Sequence, residues 1–183
     1  MHPSSKENMK RARAIVEQKF GKYEQGQVIL DFGGRDRNHK VNKSSGYTGI
    51  WKDVYKDYFV SDLQSGDNVT HVQPGPYELP FEDNSIDIIV SGQTLEHVHN
   101  PFRAVHELTR VLKPGQFMYL IAPSAGPTHD NPDCWRFYRD SFKAIAQECN
   151  LIVVADWIDK GKEWEKRSAR WKDHVFVGRK RIK

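Results

Sequence analysis

Two histidines in polar segments are the side chains of this chain best suited to acid–base chemistry. An imidazole titrates near neutral pH and can take a proton from a hydroxyl group. His129 is followed by Asp133, which could orient the ring, and by Arg136, which could hold an anionic or hydroxyl-rich substrate. His97 follows Glu96 in another polar segment. His129 and His97 are therefore candidate catalytic bases, and Asp133 and Arg136 are candidate substrate residues.

A structural interpretation competes with each of these assignments. The segment around His129 could be a self-contained lid in which Asp133 pairs with Arg136. Trp135 and Phe137 would then pack into the core, while His129 stays exposed. His97 could equally serve the structure or a cofactor rather than an acceptor. The residue types alone leave both interpretations open.

The elements that must position these residues are short apolar runs alternating with amphipathic segments. A capping box, Ser4 with Glu7, starts a helix that ends near Gly21. The predicted strands are residues 27–32, 47–51, 69–72, 86–90, 117–122, 151–158 and 174–177, with helices near 102–112 and 140–149. This alternation predicts a doubly wound α/β sheet that binds ligands outside the carboxyl ends of its strands. Both histidines follow such strand ends.

Composition narrows the class of protein. A chain of 183 residues with 38% hydrophobic residues is expected to form one globular domain. No run is long enough to span a bilayer, and Cys134 and Cys149 form no disulfide or zinc pattern, so a reduced, cytoplasmic setting is expected and no metal site is predicted. From Lys160 onward there are ten Lys/Arg and three Asp/Glu, a basic tail that could contact nucleic acid or could be a solvated edge.

Three sequence motifs occur in an order that is typical of one protein family. They are Leu79-Pro80-Phe81 followed by Asp83, Ser85 and Asp87; then Leu95-Glu96-His97; then Arg110-Val111-Leu112-Lys113-Pro114-Gly115. From about Val28 to Leu151 the chain resembles the class I S-adenosylmethionine-dependent methyltransferases, in their small type-11-like branch. The resemblance implies a single Rossmann-like domain over 25–183, after an N-terminal helix over 1–24. Its seven-stranded sheet would be mostly parallel with an antiparallel last strand, and its substrate loop would lie at about 123–139.

The resemblance also implies where S-adenosylmethionine would bind. In the loop after the first strand, Asp31, Gly33, Gly34 and Arg35 stand where the family has an acidic residue and spaced glycines, although the glycines here are adjacent. Glycine lets the cofactor lie against the backbone. The family's ribose-binding acid, expected at the end of the second strand, is missing, and other residues could replace it. The candidates for the ribose are Asp53 or alternatively Asp62, and Trp51 could stack on the adenine or could equally be a buried core residue.

Two further segments complete the expected cofactor site. Tyr77 and Leu79 offer apolar surface in the segment that covers the adenine in this family. Ser91, Gly92 and Gln93 follow the fourth strand and would face the methionine part of the cofactor. These positions are expectations from the resemblance.

The predicted function is O-methylation of a small hydroxylated acceptor such as a sugar, because a candidate base lies in the expected substrate loop. Three alternative functions stay open.

A nucleotide-dependent oxidoreductase would also use a doubly wound sheet, but it would need a G-x-G-x-x-G turn, which is absent. A nucleic-acid methyltransferase is suggested by the basic tail, and a methyltransferase-like binding module without activity by the weakened glycine loop. The sequence does not indicate an oligomeric state.

Overall fold

Among the residues that the structure describes, seven strands form one sheet in the order β3-β2-β1-β4-β5-β7-β6. The computed structural model describes residues 3–36, 46–160 and 170–182. The strands are β1 Gln27–Phe32, β2 Tyr55–Asp62, β3 His71–Val72, β4 Ile86–Gly92, β5 Leu112–Pro123, β6 Leu151–Ile158 and β7 Asp173–Lys180. The helices are α1 Pro3–Phe20, α2 Thr48–Trp51, α3 Pro101–Val111 and α4 Ser141–Glu148, with a short 3₁₀ turn at Leu95–His97.

The strand directions confirm the predicted fold class. Strands β1 to β5 pair in parallel, whereas β7 is antiparallel to both β5 and β6. Because β1 lies between β2 and β4, the loops that follow these three strands meet at one carboxyl edge of the sheet.

Apolar side chains alternate between the two faces of the central strands and build two cores. Ile29 of β1 packs on the face covered by α1 and α2, and its neighbour Leu30 packs on the face covered by α3 and α4. Ile88 and Ile89 of β4 divide in the same way. Successive side chains of a strand point to opposite faces, so an uninterrupted apolar run indicates a strand buried on both sides. In the described part of the chain, no helix combines the length and apolar character that crossing a membrane requires.

The predicted second strand, residues 47–51, is wrong. Residues Thr48–Trp51 form the short helix α2, and the second strand is Tyr55–Asp62. Trp51 is fully buried, with its ring edge-on to the rings of Tyr23 and Tyr119 at centroid distances of 5.6 and 5.2 Å. Burying this large ring under the sheet favours the helical turn over strand pairing, since a buried aromatic side chain is worth several CH₂ groups of transfer free energy.

The family-like motifs are tied to one another by ion pairs. Arg110 lies at the end of α3 and donates to the backbone carbonyls of Leu79 and Phe81, at 3.2 and 2.9 Å. Its guanidinium also pairs with Asp83 and Glu107, each at 2.7 Å. Arg110 therefore holds the turn before β4 in place, which explains why a turn motif and a distant arginine occur together.

Replacing Arg110 with alanine should destabilise the fold by about 1.5–3 kcal/mol, the usual worth of hydrogen bonds to a charged group. Chemical denaturation measures this loss. Arg139→Ala, at an exposed position, is the matched control and should change the free energy of unfolding little. Equal stability of the Arg110 and Arg139 variants would show that the turn holds without its arginine.

Candidate functional site

The loops after β1, β2 and β4 are joined directly by hydrogen bonds. The N–H of Gly33 donates to the carbonyl of Ser61 at 2.8 Å, and the buried hydroxyl of Ser91 donates to the carbonyl of Phe32 at 2.9 Å. Residues that the sequence separates widely are thus neighbours at the carboxyl edge.

The two adjacent glycines are required by the protein's own packing. Gly33 has φ +69°, and a Cβ there would collide with the side chain of Thr94. A Cβ on Gly34 would lie 2.6 Å from the carboxylate carbon of Asp31. The resemblance implies that these glycines make room for a cofactor. A Cβ at either position would also force the side chain of Thr94 or Asp31 to shift, with or without a ligand.

Asp31 ends up buried beneath this turn. The hydroxyl of Tyr58 donates to its carboxylate at 2.8 Å. Burial nevertheless raises the pKa of Asp31 to about 7, and this hydrogen bond and one from the backbone of Tyr47 oppose the rise only in part. Its place below the glycines suits a role in shaping the turn.

The stability of the protein should therefore depend on pH through Asp31. Between its ordinary pKa of 3.8 and about 7, the folded chain keeps a proton that the unfolded chain has lost. Stability from this group is complete below pH 3.8 and is lost as pH rises through 7. The Asp31→Asn variant should lack this component in denaturant titrations across that range, and Asp67→Asn, at an exposed position, should keep it. A wild-type-like pH slope in Asp31→Asn would contradict the burial argument.

The predicted roles of Trp51 and Asp53 are not compatible with the structure. Trp51 lies in the core, and Asp53 precedes β2, so it lies at the amino edge of the sheet, opposite the glycine turn. Arg13 of α1 holds both carboxylate oxygens of Asp53, each at 2.8 Å. Both assignments failed because they depended on the misplaced second strand.

Asp62, the alternative ribose ligand, is the acid at the true end of the second strand. Its Oδ1 lies 3.5 Å from Nε of Arg35, so the two residues form an ion pair beside the glycine turn. The N–H of Gln64 donates to the same oxygen at 3.0 Å. A carboxylate at this strand end can accept two hydroxyl groups.

The two residues predicted to cover the adenine, Tyr77 and Leu79, differ in their exposure to solvent. Leu79 is buried, and its N–H donates to Glu107 at 2.8 Å. Tyr77 is partly buried, with the guanidinium of Arg103 4.5 Å above its ring. Tyr77 thus retains some surface for a ligand, whereas Leu79 supports the segment from below.

The loop after β4 is compact. Ser91 is buried, and a Cβ on Gly92 would collide with the hydroxyl of Tyr47. Gln93 has φ +59°, and its amide donates to Asp173 at 3.0 Å. Tyr47 therefore fills the space beside Gly92, and Asp173 holds the amide of Gln93. Contact of this loop with the cofactor stays a prediction.

The first turn of α1 docks on the same edge. Ser4 donates to Asp173 at 3.3 Å, and Ser5 shares a 2.7 Å hydrogen bond with the hydroxyl of Tyr47. Asp173 and Tyr47 also contact the end of β4 and the loop that follows it. The amino-terminal helix is thus connected to the site by its own polar side chains.

The two candidate bases lie side by side. The ring centroids of His97 and His129 are 5.1 Å apart, although one follows β4 and the other follows β5. Nδ1–H of His97 donates to the carbonyl of Pro132 at 2.6 Å. Trp171 packs on the other side of His129, with a centroid distance of 4.5 Å. His129 is therefore half-buried rather than exposed.

Asp133 and Arg136 hold the lid together. Arg136 donates to both carboxylate oxygens of Asp133, at 2.6 and 2.8 Å, and to the carbonyl of Pro127 at 2.6 Å. This pairing lowers the pKa of Asp133 well below its usual range. The backbone N–H of His129 also donates to Asp133 at 2.7 Å, so the carboxylate holds the backbone of His129, whereas ring Nδ1 makes no hydrogen bond among the described residues. Most of Arg136 is used by the loop itself.

Phe137 is buried in the core as expected, but Trp135 is not. Trp135 is 42% exposed, and its indole N–H donates to the carbonyl of Val98 at 2.8 Å. Beside it lies a cavity of about 190 Å³ lined by Gly126, Thr128, Asp133, Cys134, Trp135 and Arg136. The lid thus presents an aromatic face and polar groups together.

Glu96 is the residue that sequence reasoning passed over. It is 0% exposed, and neither carboxylate oxygen has a hydrogen-bond partner among the described residues. Burial raises its pKa to about 8. Its backbone carbonyl accepts from Cys134 at 2.7 Å, which anchors the lid to the 3₁₀ turn. The only signal in the sequence was its place beside His97.

Comparisons with known proteins agree with this geometry. The family model of the methyltransferase domain matches residues 50–120. An uncharacterized methyltransferase of Mycobacterium tuberculosis is 32% identical over 98 residues, which cover 52% of this chain and 39% of the relative. The uncharacterized protein YafE of Escherichia coli is 35% identical over 100 residues, or 47% of this chain and 48% of the relative. The chain thus spans less than half the length of these curated relatives.

Solved structures share the fold over nearly the whole chain. YcgJ of Bacillus subtilis has a TM-score of 0.65 at 14% identity, with all of both chains covered. The 1,6-didemethyltoxoflavin-N1-methyltransferase of Burkholderia thailandensis, solved with S-adenosylhomocysteine, has a TM-score of 0.67 at 14% identity, covering 98% of this chain and 80% of that one. The sheet order, the motifs and the matched methyltransferase-domain segment make this chain similar to the class I S-adenosylmethionine-dependent methyltransferases.

Proposed function

We propose that this chain transfers a methyl group from S-adenosylmethionine to a hydroxyl group of a small acceptor, with a sugar or sugar nucleotide as the first candidate. The observation that carries the proposal is the pairing of His97 with His129 at 5.1 Å, at the edge where the glycine turn also lies. Thr94, three residues before His97, is the side chain that packs against Gly33. The possible bases therefore adjoin the expected cofactor loop.

The residues at the carboxyl edge fit the cofactor. Asp62 would accept the ribose hydroxyls in place of its present contact with Arg35, because it is the acid at the end of β2. The backbone of Gly33 and Gly34 and the amide of Gln93 would border the methionine part. S-adenosylmethionine supplies a methyl group on a sulfonium, which is already a good leaving group. The chain has to align the acceptor with that methyl group, and alignment can supply roughly 7–11 kcal/mol of the barrier reduction.

The acceptor hydroxyl would lose its proton at the histidine pair. His129 is the member that belongs to the lid, and Asp133 holds its backbone. A positioned general base contributes about 10²–10⁴-fold to such a reaction. The exposed face of Trp135, beside a polar cavity, suits a ring that has both an apolar face and hydroxyl groups.

The side chains of two basic residues of the tail, Arg179 and Lys180, donate hydrogen bonds to backbone carbonyls of the domain. Lys180 donates to the carbonyls of Thr109 and Leu112, at 2.6 and 2.7 Å. Arg179 donates to the carbonyl of Gly115 at 2.7 Å. These contacts join the end of β7 to the end of α3 and to β5. They favour the small-molecule acceptor over the nucleic-acid alternative.

Two measurements test the proposal. Calorimetric titration should give one binding site for S-adenosylhomocysteine per chain. With methyl-labelled S-adenosylmethionine, a panel of hydroxylated sugars and sugar nucleotides should include an acceptor that takes up label. Absence of cofactor binding would overturn the assignment, and labelling of RNA or amines alone would overturn the acceptor class.

A further inference from the structure

Three side chains from two loops converge at one point beneath the lid. They are Glu96 and His97 from the 3₁₀ turn and His129 from the loop after β5. One potential ligand atom from each residue lies within 4.8 Å of the other two. A carboxylate with two imidazoles is a donor set that first-row transition metals prefer, whereas Mg²⁺ prefers oxygen donors alone.

The carboxylate of Glu96 is the least explained polar group of the site. It is completely buried, and both of its oxygens lack a hydrogen-bond partner among the residues that the structure describes. Its closest ion-pair contact is Nε2 of His97, at 3.7 Å from Oε1. A buried polar group without partners costs free energy unless something in the functional state satisfies it.

His97 is already arranged as metal-bound histidines usually are. Its Nδ1–H donates to the carbonyl of Pro132, so the lone pair of Nε2 is left on the side of Glu96. Metal-ligating histidines typically donate their second ring nitrogen to a carbonyl or carboxylate in this way. Nδ1 of His129 is likewise buried, 3.2 Å from Asp133 Oδ2, without the alignment of a hydrogen bond.

The charges around the cluster favour a cation. Asp133 and Asp173 both act on Glu96 as neighbouring negative charges, and Arg136 opposes them. Arg136 and Asp133 form a bidentate pair whose charges offset each other, so the negative charge of Asp173 remains. A divalent ion would therefore enter a region of net negative potential.

We propose that Glu96, His97 and His129 bind one divalent first-row transition-metal ion, such as Zn²⁺ or Fe²⁺. Ligand atoms in a tetrahedral zinc site lie about 3.4 Å apart, given bonds of about 2.0–2.1 Å. From separations of at most 4.8 Å, small side-chain movements bring the three atoms to that distance. No metal site was predicted from the sequence because the two cysteines have no zinc-binding spacing and methyl transfer from a sulfonium does not require a metal. Glu96 and His97 are more than 30 residues from His129, so no local spacing indicates the cluster.

The role of this ion rests on the proposed function. An acceptor hydroxyl that completes the coordination would have its pKa lowered by the ion, so its proton would pass to solvent water as its oxygen takes the methyl group and the sulfonium becomes a neutral thioether. The histidine pair would then act on the hydroxyl through the metal. Binding of the ion, by contrast, is independent of any acceptor and can be measured alone.

The experiment is a titration of chelator-treated protein with Zn²⁺ by calorimetry, and with Co²⁺ followed by its visible absorption. We expect one equivalent to bind per chain. Glu96→Gln and His97→Ala should each weaken binding at least 10–100-fold, the scale already seen when only a supporting residue is lost. His106→Ala, at an exposed position on α3, is the matched control and should bind as the wild type does. Circular dichroism establishes that each variant is folded.

Two results would overturn the metal site. One is the absence of stoichiometric binding by the folded wild-type protein, and the other is equal binding by the wild type, Glu96→Gln and His97→Ala. These outcomes differ from failure of the proposed function, which is seen as lack of S-adenosylhomocysteine binding or of acceptor labelling. Once an acceptor is known, chelation should lower turnover of the wild type and have little further effect on His129→Ala.

Discussion

Replacement of His129 with alanine should lower methyl-transfer turnover by about 10²–10⁴-fold and leave cofactor affinity unchanged. The reason is its position. His129 belongs to the lid, its backbone is held by Asp133, and its ring faces His97. Steady-state kinetics with the acceptor from the sugar screen, together with calorimetric titration of S-adenosylhomocysteine, measures both quantities.

His97→Ala is the informative comparison. His97 donates to the carbonyl of Pro132, so its loss should loosen the lid and reduce stability or cofactor binding. His106→Ala should change neither turnover nor binding. If turnover survives the loss of His129 but collapses in His97→Ala with the cofactor still bound, then His97 is the residue that activates the acceptor and the segment around His129 is only a lid.

Replacement of Asp62 with alanine should weaken cofactor binding by about 1–3 kcal/mol, or roughly 5–150-fold, as expected when a charged hydrogen-bond partner is lost. Asp62 stands at the carboxyl end of β2, beside the Gly33 turn. Calorimetric titration with S-adenosylhomocysteine measures the change directly, without any acceptor.

Asp53→Ala provides the matched control, since it removes an aspartate from the opposite edge of the same sheet. Asp53 pairs with Arg13 at an exposed position, so its loss should cost little stability and no cofactor affinity. A loss of affinity in Asp53→Ala with none in Asp62→Ala would show that the cofactor does not lie along the carboxyl edge as proposed.

The sequence predicted those parts of the fold that depend on local pattern. The run Ile86–Val90, apolar except for Asp87, predicts the buried central strand β4 correctly, and the alternation of strands and helices predicts the class of the sheet. The stretch 47–51 misled because an aromatic, apolar run suits a strand and a buried helical turn equally well. The structure settles the difference through the packing of Trp51 against Tyr23 and Tyr119, which no local pattern contains.

In the candidate site too, features that depend on local pattern could be predicted, whereas features that depend on tertiary packing could not. Asp31, Gly33 and Ser91 lie at or just beyond the ends of two strands, β1 and β4, that could be predicted. Their contact with the cofactor stays a prediction. The neighbourhood of His97 and His129, and the burial of Glu96 beneath them, depend on how two loops cross the same edge. Spacing along the chain carries no information about such a crossing, so these contacts became visible only in three dimensions.

The docking of the first turn of α1 on Asp173 and Tyr47 links two equilibria. Both residues also support the loop after β4. A ligand that orders that loop therefore also favours the docked position of the helix. By reciprocity, undocking of the helix must weaken binding of the ligand. Helix α1 thus acts on the ligand site as a bound effector would, although it is part of the same chain. We expect a fusion or truncation before β1 to change ligand affinity without altering any residue that contacts the ligand.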